Sequence, residues 1–198
     1  MDLFENPPTS PLEAFAAWMV DAEQAGEPQP AAMALATATS DGHPSVRYVL
    51  YKGLIEGALV FYTNHDSRKG RELLENPQSA TVFYWRGLRR QIRVEGPVNH
   101  LDAKASARYF QSRPRDSQIS ALASHQSQPI ENRAMLESRA MELEQRYAGQ
   151  TLPTPAFWGG YRLVPKRFEF WAGRSNRLHD RLAYALEESG WHYTCLSP

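Results

Sequence analysis

A small antiparallel β-barrel with helices packed against its outside is the fold class this sequence predicts. Three observations lead there. From Ala31 to Leu101, runs rich in Val, Tyr, Phe and Thr are separated by turn residues. Most connections between them are too short for the crossovers of a parallel βαβ sheet. The stretches of helical character collect in 102–148, after which strand character returns. Composition sets the bounds. The chain has 198 residues, 42% of them hydrophobic and 22% charged, enough to bury a core without staples. Residues 1–198 are read as a single domain, with 1–10 as a flexible N-terminal segment punctuated by Pro7 and Pro8.

The elements follow in order. Residues 11–25, PLEAFAAWMVDAEQA, form a helix: Leu12, Phe15, Ala16 and Met19 recur at helical spacing, and Ser10-Pro11 suits an N-cap and first position. MALATAT and PSVRYVLYK are strands around the turn SDGH, and ALVFYT follows the turn at Gly53–Gly57. SRKGRELLEN, residues 67–76, is a short helix ended by Asn76-Pro77. SATVFYW and the long QIRVEGPVNHL pair across RGLRR. Helices follow at DAKASARYFQS, at 117–124 and at 129–149. WGGYRLV, RFEFWAG and WHYTCL are strands, and alternation of Leu182 and Tyr184 with polar neighbours makes 177–187 a strand too.

Several function classes fall away. Lys+Arg and Asp+Glu are each 22, a balance that gives no broad attraction to nucleic acid or an anionic membrane. One cysteine, Cys195, makes neither a disulfide framework nor a thiolate zinc site, and the six histidines show no metal-ligand spacing, so no metal is expected. No apolar run is long enough to span a bilayer and MDLFENPPTS is not a signal peptide, so a cytoplasmic protein is expected. The phosphate loop, dinucleotide fingerprint and nucleophile elbow are missing.

What remains is basic and hydroxyl residues at element ends. Arg68 and Lys69 follow Ser67 in a first helical turn, where the dipole disfavours cations. An anion against the free N–H groups would explain them, and a solvated helix end is the plainer alternative. Arg47 and Lys52 interrupt an apolar strand, and regular alternation puts them on opposite faces. Either the strand bulges or the two serve different groups, unless that face is simply wet. Tyr109, Arg113 and Ser117 recur every four residues and fall on one face while the helix lasts, offering a guanidinium fork with two hydroxyls suited to phosphate; a surface helix ending at Pro114 is the plainer alternative. Arg177 and His179, two apart, would share one face of a strand, with the imidazole able to accept a hydrogen bond. Together these features describe a holder of two anionic ligands, without specifying a reaction.

The runs RYVLYK, VFYTN, SRKGREL, RQIRVEG, YFQSRPRDSQI, HQSQPI, FWGGYR, FEFWAG and RLHDR occur in one order over residues 12–198. In this the chain resembles the pyridoxamine (pyridoxine) 5′-phosphate oxidases. MDLFENPPTS departs from the basic, tyrosine-bearing N-terminal segments common there, and Cys195 falls where a basic residue is common. The resemblance implies an FMN-binding split β-barrel, antiparallel and Greek-key-like, working as a homodimer with FMN at the interface. It implies oxidation of pyridoxamine 5′-phosphate or pyridoxine 5′-phosphate to pyridoxal 5′-phosphate, with dioxygen as final acceptor. Arg47, Arg68, Lys69, Gln126 and Ser127 correspond to the FMN phosphate side. Val49, Leu50, Lys52, Tyr62, Thr63, Gln91, Trp171 and Arg181 correspond to positions around the rest of the cofactor. Lys52, Tyr109, Arg113 and Ser117 correspond to the substrate phosphate site, and Arg177, Leu178 and His179 to the group over the reacting carbon, with Arg177 and His179 as the catalytic pair. A related flavin oxidase acting on another substrate, such as a phenazine precursor, is the alternative.

Overall fold

Ser10 starts the first helix: its Oγ accepts the Leu12 N–H at 3.3 Å, and Pro11 gives up an N–H that a first turn cannot use. The computed structural model describes residues 3–198. Helix α1 (Pro11–Gln24) buries Ala14, Phe15, Trp18, Met19 and Ala22, while Ala16 faces solvent, so the buried stripe lies beside the one expected. Residues 3–10 are held down: Leu3 is in the core, Phe4 meets Trp18 edge-on at 6.1 Å, and the Tyr184 hydroxyl donates to the Pro8 carbonyl at 2.9 Å. The segment expected to be flexible at 1–10 makes these contacts over its described part. Residues 1–2 lie outside the described residues.

Strands β1 (Ala32–Ala38) and β2 (Pro44–Leu50) form a hairpin. The two-residue β3 (Leu54–Ile55), within the expected turn, pairs with β4 (Ala58–Asn64). After α2 (Arg68–Glu75) come β5 (Gln78–Trp85) and β6 (Arg90–His100). Helices α3 (Ala103–Ser112), α4 (Arg115–Ala123) and α5 (Arg133–Arg146) fill the region read as helical. The last is shorter than the expected 129–149, because Asn132 caps it by accepting the Met135 N–H at 3.0 Å. Strands β7 (Trp158–Leu163), β8 (Arg167–Ala172), β9 (Asp180–Glu187) and β10 (Gly190–Cys195) close the chain. Strand β9 starts three residues later than expected: Arg177, Leu178 and His179 lie in the loop before it, so no strand alternation puts Arg177 and His179 on a shared face.

The sheet is antiparallel throughout and runs β10-β9-β8-β6-β5-β1-β2. Strand β6 serves both halves of the barrel, pairing β8 through Arg90–Glu95 and β7 through Val98–His100. The switch occurs at Gly96, where an added Cβ would sit 2.0 Å from the Val164 carbonyl oxygen, so only glycine lets the strands close there. Phe15, Phe61, Phe83, Phe168 and Phe170 fill the interior, each at most 1% exposed. Phe15 meets Phe83 edge-on at 5.5 Å and Trp18 meets Phe170 at 5.3 Å, fastening α1 to the sheet. A second cluster of Phe110, Ile119, Leu152 and Trp158 sits beneath α3–α5.

Candidate active site

A cleft of about 850 Å³ opens between β2, β4, α2, the α3–α4 corner and α5. Of the expected cofactor residues, Arg47, Val49, Leu50, Lys52, Tyr62, Thr63, Lys69 and Gln126 line it, and so do Tyr109, Arg113 and Ser117 of the expected phosphate trio. The apparent conflict between Arg47 and Lys52 dissolves because β2 ends at Leu50; beyond it Gly53 turns the chain at φ 105°, and Lys52 reaches the same cleft without a bulge. Tyr109, Arg113 and Ser117 converge for a different reason than one continuous helix face. Arg113 is extended at ψ 151°, Pro114 starts the next helix, and the two helices meet at a corner. Gln118 braces that corner, its side-chain amide donating to the Gln111 and Arg113 carbonyls at 3.1 and 3.0 Å.

One end of the cleft is built for an anion. Lys69 is buried, and its Nζ donates to Thr63 Oγ1 at 2.8 Å, Ser67 Oγ at 3.0 Å and Gln126 Oε1 at 2.7 Å. Burial, with the nearby Arg47 charge, pulls its pKa down to about 8 against the opposing pull of Glu72. Glu72 was not singled out in the sequence, and it organises this end. Its carboxylate accepts from Thr37 Oγ1 at 2.5 Å, Ser45 Oγ at 2.6 Å, Arg47 Nη2 at 3.3 Å and Arg68 Nε at 2.8 Å. Burial would raise its pKa, but the Ser45, Thr37 and Arg68 hydrogen bonds and the Arg47 charge outweigh that and bring it to about 2. The i,i+4 pair Arg68/Glu72 within SRKGRE was the available signal. Arg68, Arg47 and Lys69 against Glu72 leave two net positive charges, the complement of a phosphate dianion. Arg68 stays outside the cleft wall, half-exposed against Glu72, and Ser127 sits beside Gln126 at φ 69°.

The other end holds Arg113. Its guanidinium lies 4.8 Å from the Trp158 ring centroid, and its Nη1 is buried with no hydrogen-bond partner among the described residues. No carboxylate pairs with it among the described residues, and burial lowers its pKa. A desolvated cation without a hydrogen-bond partner at Nη1, flanked by the lining residues Tyr109 and Ser117, has the chemistry of a second candidate anion site.

The remaining predicted residues form a separate group. Gln91 of β6, Trp171 of β8 and Arg181 of β9 are cross-strand neighbours. Arg181 donates through Nε to Glu169 Oε1 and through Nη1 to the Ser197 carbonyl, each at 2.9 Å. The His179 ring packs on Trp171 at 4.7 Å, and its Nδ1 accepts the Arg174 N–H at 3.0 Å. Arg177 is held at φ 65° and Leu178 is exposed. None of these residues lines the 850 Å³ cleft. One chain thus holds the predicted residues in two separate groups. The edge strand β2 offers an exposed apolar stripe of Val46, Tyr48 and Leu50, and Tyr48 and Leu50 also line the cleft.

Comparison with known proteins bears on this arrangement. Residues 19–147 match the family described as pyridoxamine 5′-phosphate oxidase, and residues 158–198 match the pyridoxine 5′-phosphate oxidase C-terminal dimerisation region. A relative from Rubrobacter xylanophilus named pyridoxine/pyridoxamine 5′-phosphate oxidase is 53% identical over 188 residues, covering 95% of this chain and 87% of the relative. One of the same name from Gluconobacter oxydans is 49% identical, covering 95% and 94%. Among solved structures, PhzG from Burkholderia lata, in complex with tetrahydrophenazine-1-carboxylic acid, superposes with a TM-score of 0.95 at 36% identity, covering 100% of this chain and 97% of that one. A pyridoxamine 5′-phosphate oxidase-related, FMN binding protein from Nostoc punctiforme, 17% identical, shares the split-barrel fold with a TM-score of 0.75, covering 96% of this chain and 100% of that one. The chain belongs to the pyridoxamine 5′-phosphate oxidase family.

Proposed function

We propose that this protein is an FMN-dependent oxidase that converts pyridoxamine 5′-phosphate or pyridoxine 5′-phosphate to pyridoxal 5′-phosphate, and that it works as a homodimer in the cytoplasm. The observation that carries this reading is a cleft with two anion sites, one at Lys69 and Glu72, the other at the unpaired Arg113. A phosphorylated cofactor and a phosphorylated substrate account for both. The donor set around Lys69 fits the phosphate of FMN: Lys69, Gln126, Ser127, Arg68 and Arg47 would hold it. Four Arg47 hydrogen bonds are already made to Leu35 O, Thr37, Ser45 and Glu72, so Arg47 contributes mainly charge and its remaining Nε–H. Val49, Leu50, Tyr62, Thr63, Gln91, Trp171 and Arg181 would border the rest of the cofactor. The separation of Gln91, Trp171 and Arg181 from the cleft supports a site completed by a second copy, across the Val46–Tyr48–Leu50 stripe.

The chemistry FMN would supply when bound is acceptance of a hydride from substrate C4′ and delivery of the electrons to dioxygen, giving hydrogen peroxide; with the amine substrate, water hydrolyses the oxidised product to the aldehyde and ammonia leaves. The chain's own residues bind and orient. Arg113, Tyr109, Ser117 and Lys52 hold the substrate phosphate. Arg177, Leu178 and His179 fix the pyridine ring so that C4′ sits at reacting distance. The likeness to PhzG favours a second reading, an oxidase of a phenazine precursor. A phenazine carboxylate would answer Arg113 alone, whereas a phosphate also uses the Tyr109 and Ser117 hydroxyls beside it, which is why the first reading is preferred.

Anaerobic addition of pyridoxamine 5′-phosphate to the yellow protein tests the proposal. Bleaching of the flavin band is expected. No bleaching there, with bleaching on tetrahydrophenazine-1-carboxylic acid, would establish the second reading instead. Arg113→Ala is expected to raise KM about tenfold or more with kcat nearly unchanged, since a remote phosphate is held equally in ground and transition states. An unchanged KM with a large fall in kcat would contradict the phosphate role.

A further inference from the structure

Trp158 opens β7 and is 8% exposed. Its indole is nearly parallel to Tyr62, with centroids 5.4 Å apart, and to Tyr109, 6.3 Å away, while Tyr62 and Tyr109 stack at 3.9 Å. The Arg113 guanidinium lies over this ring system. The cations at the other end of the cleft are answered by Glu72 or by hydroxyl and amide oxygens, whereas among the described residues Arg113 meets only ring faces, Trp158 at 4.8 Å and the more distant Phe110 at 5.9 Å. That difference has a physical consequence. A carboxylate would fix a guanidinium but also cancel its charge and compete with an arriving anion. A tryptophan face attracts the cation through its quadrupole and leaves the net charge intact. The next residues dock the helix that leads to Arg113. The Gly160 N–H donates to Ser106 Oγ of α3 at 3.0 Å, and a Cβ at Gly160 would come within 2.9 Å of the Tyr62 ring.

We propose that Trp158 is the positioning residue of the candidate phosphate subsite: by holding Arg113 through its ring face and not through an acid, it leaves the whole guanidinium charge for a ligand phosphate and sets the preference for phosphorylated over non-phosphorylated ligands. This rests on the substrate-phosphate assignment made above. The test compares binding of pyridoxal 5′-phosphate and pyridoxal to the FMN-loaded protein by titration calorimetry, taking the ratio of the two affinities on each preparation. The ratio cancels differences in folded fraction, which a merely structural role would change.

Wild type is expected to prefer the phosphorylated ligand. Trp158→Leu is expected to lower that preference about tenfold, equivalent to about 1.4 kcal/mol. Arg113→Ala should lower it at least as much, and adding Trp158→Leu to Arg113→Ala should change it no further. A wild-type ratio in Trp158→Leu, or full additivity in the double variant, overturns the proposal. Where Trp158→Leu does not fold, Trp158→Phe, which keeps a smaller ring, carries the same test: a preference lowered about threefold supports the role and an unchanged one refutes it. Failure of the underlying assignment would show separately, as no preference in the wild type itself.

Discussion

Glu72→Gln isolates the charge at the centre of the anion site. Glu72 is 4% exposed and accepts four hydrogen bonds, two from guanidinium groups. Its pKa falls from an ordinary 4.5 to about 2. At about 1.4 kcal/mol per tenfold change in acidity, that depression is worth about 3 kcal/mol of folded-state stability at pH 7. Because the folded pKa lies below the unfolded one, this stabilisation is fully present above about pH 4.5 and drains away as the pH falls toward 2. At pH 3 about half of it remains. The glutamine keeps the shape but not the charge, and it leaves Arg47 without its counter-ion. Urea unfolding followed by tryptophan fluorescence, at fixed protein and FMN concentrations, should show Glu72→Gln less stable by about 3 kcal/mol at pH 7, with the gap to wild type about halved at pH 3. A gap of the same size at both pH values would refute a charge-based role, and no gap at pH 7 would refute the site electrostatics altogether.

Lys69, at a pKa of about 8, is held below its ordinary 10.5 by burial, and a bound phosphate should raise it again. FMN affinity should therefore fall as the pH rises from 7 to 9.5, with proton uptake on binding, while riboflavin affinity stays flat; parallel fluorescence titrations check this, and equal slopes would remove Lys69 from the phosphate site. Arg177→Ala should lower kcat/KM at least ~10-fold with FMN still bound, through lost orientation of C4′. His179→Ala should do so more mildly, and wild-type rates of single-turnover flavin reduction in both would end the catalytic claim. Tyr48→Glu, a charge in the exposed stripe of β2, should shift the protein to monomer in sedimentation and release flavin together with the partner; a dimer with full flavin content would place the interface elsewhere.

Much of the barrel was legible in the chain. Period-two runs such as MALATAT and VFYW have one face to bury, and short turns leave them only antiparallel neighbours, so strand type and pairing follow from local chemistry. The anion-binding residues were legible for a similar reason: a cation in an apolar run, as at Arg47, or in a first helical turn, as at Lys69, conflicts with its local setting and marks a site. The onset of β9 was not legible, because residues 177–179 alternate as a strand would, yet no neighbouring strand pairs with them. Glu72 and Trp158 were passed over since each looks ordinary along the chain, one as a helical i,i+4 partner and the other as a core aromatic. Their roles depend on what comes to them from elsewhere: Arg47 across 25 residues and Arg113 across the α3–α4 corner. Sequence alone determined which residues carry charge into the interior. Only the tertiary structure decided which of those charges share a carboxylate, as Arg47 does with Arg68 at Glu72, and which meet none among the described residues, as Arg113 does, because a charge's partner is set by distances through space and not by spacing along the chain.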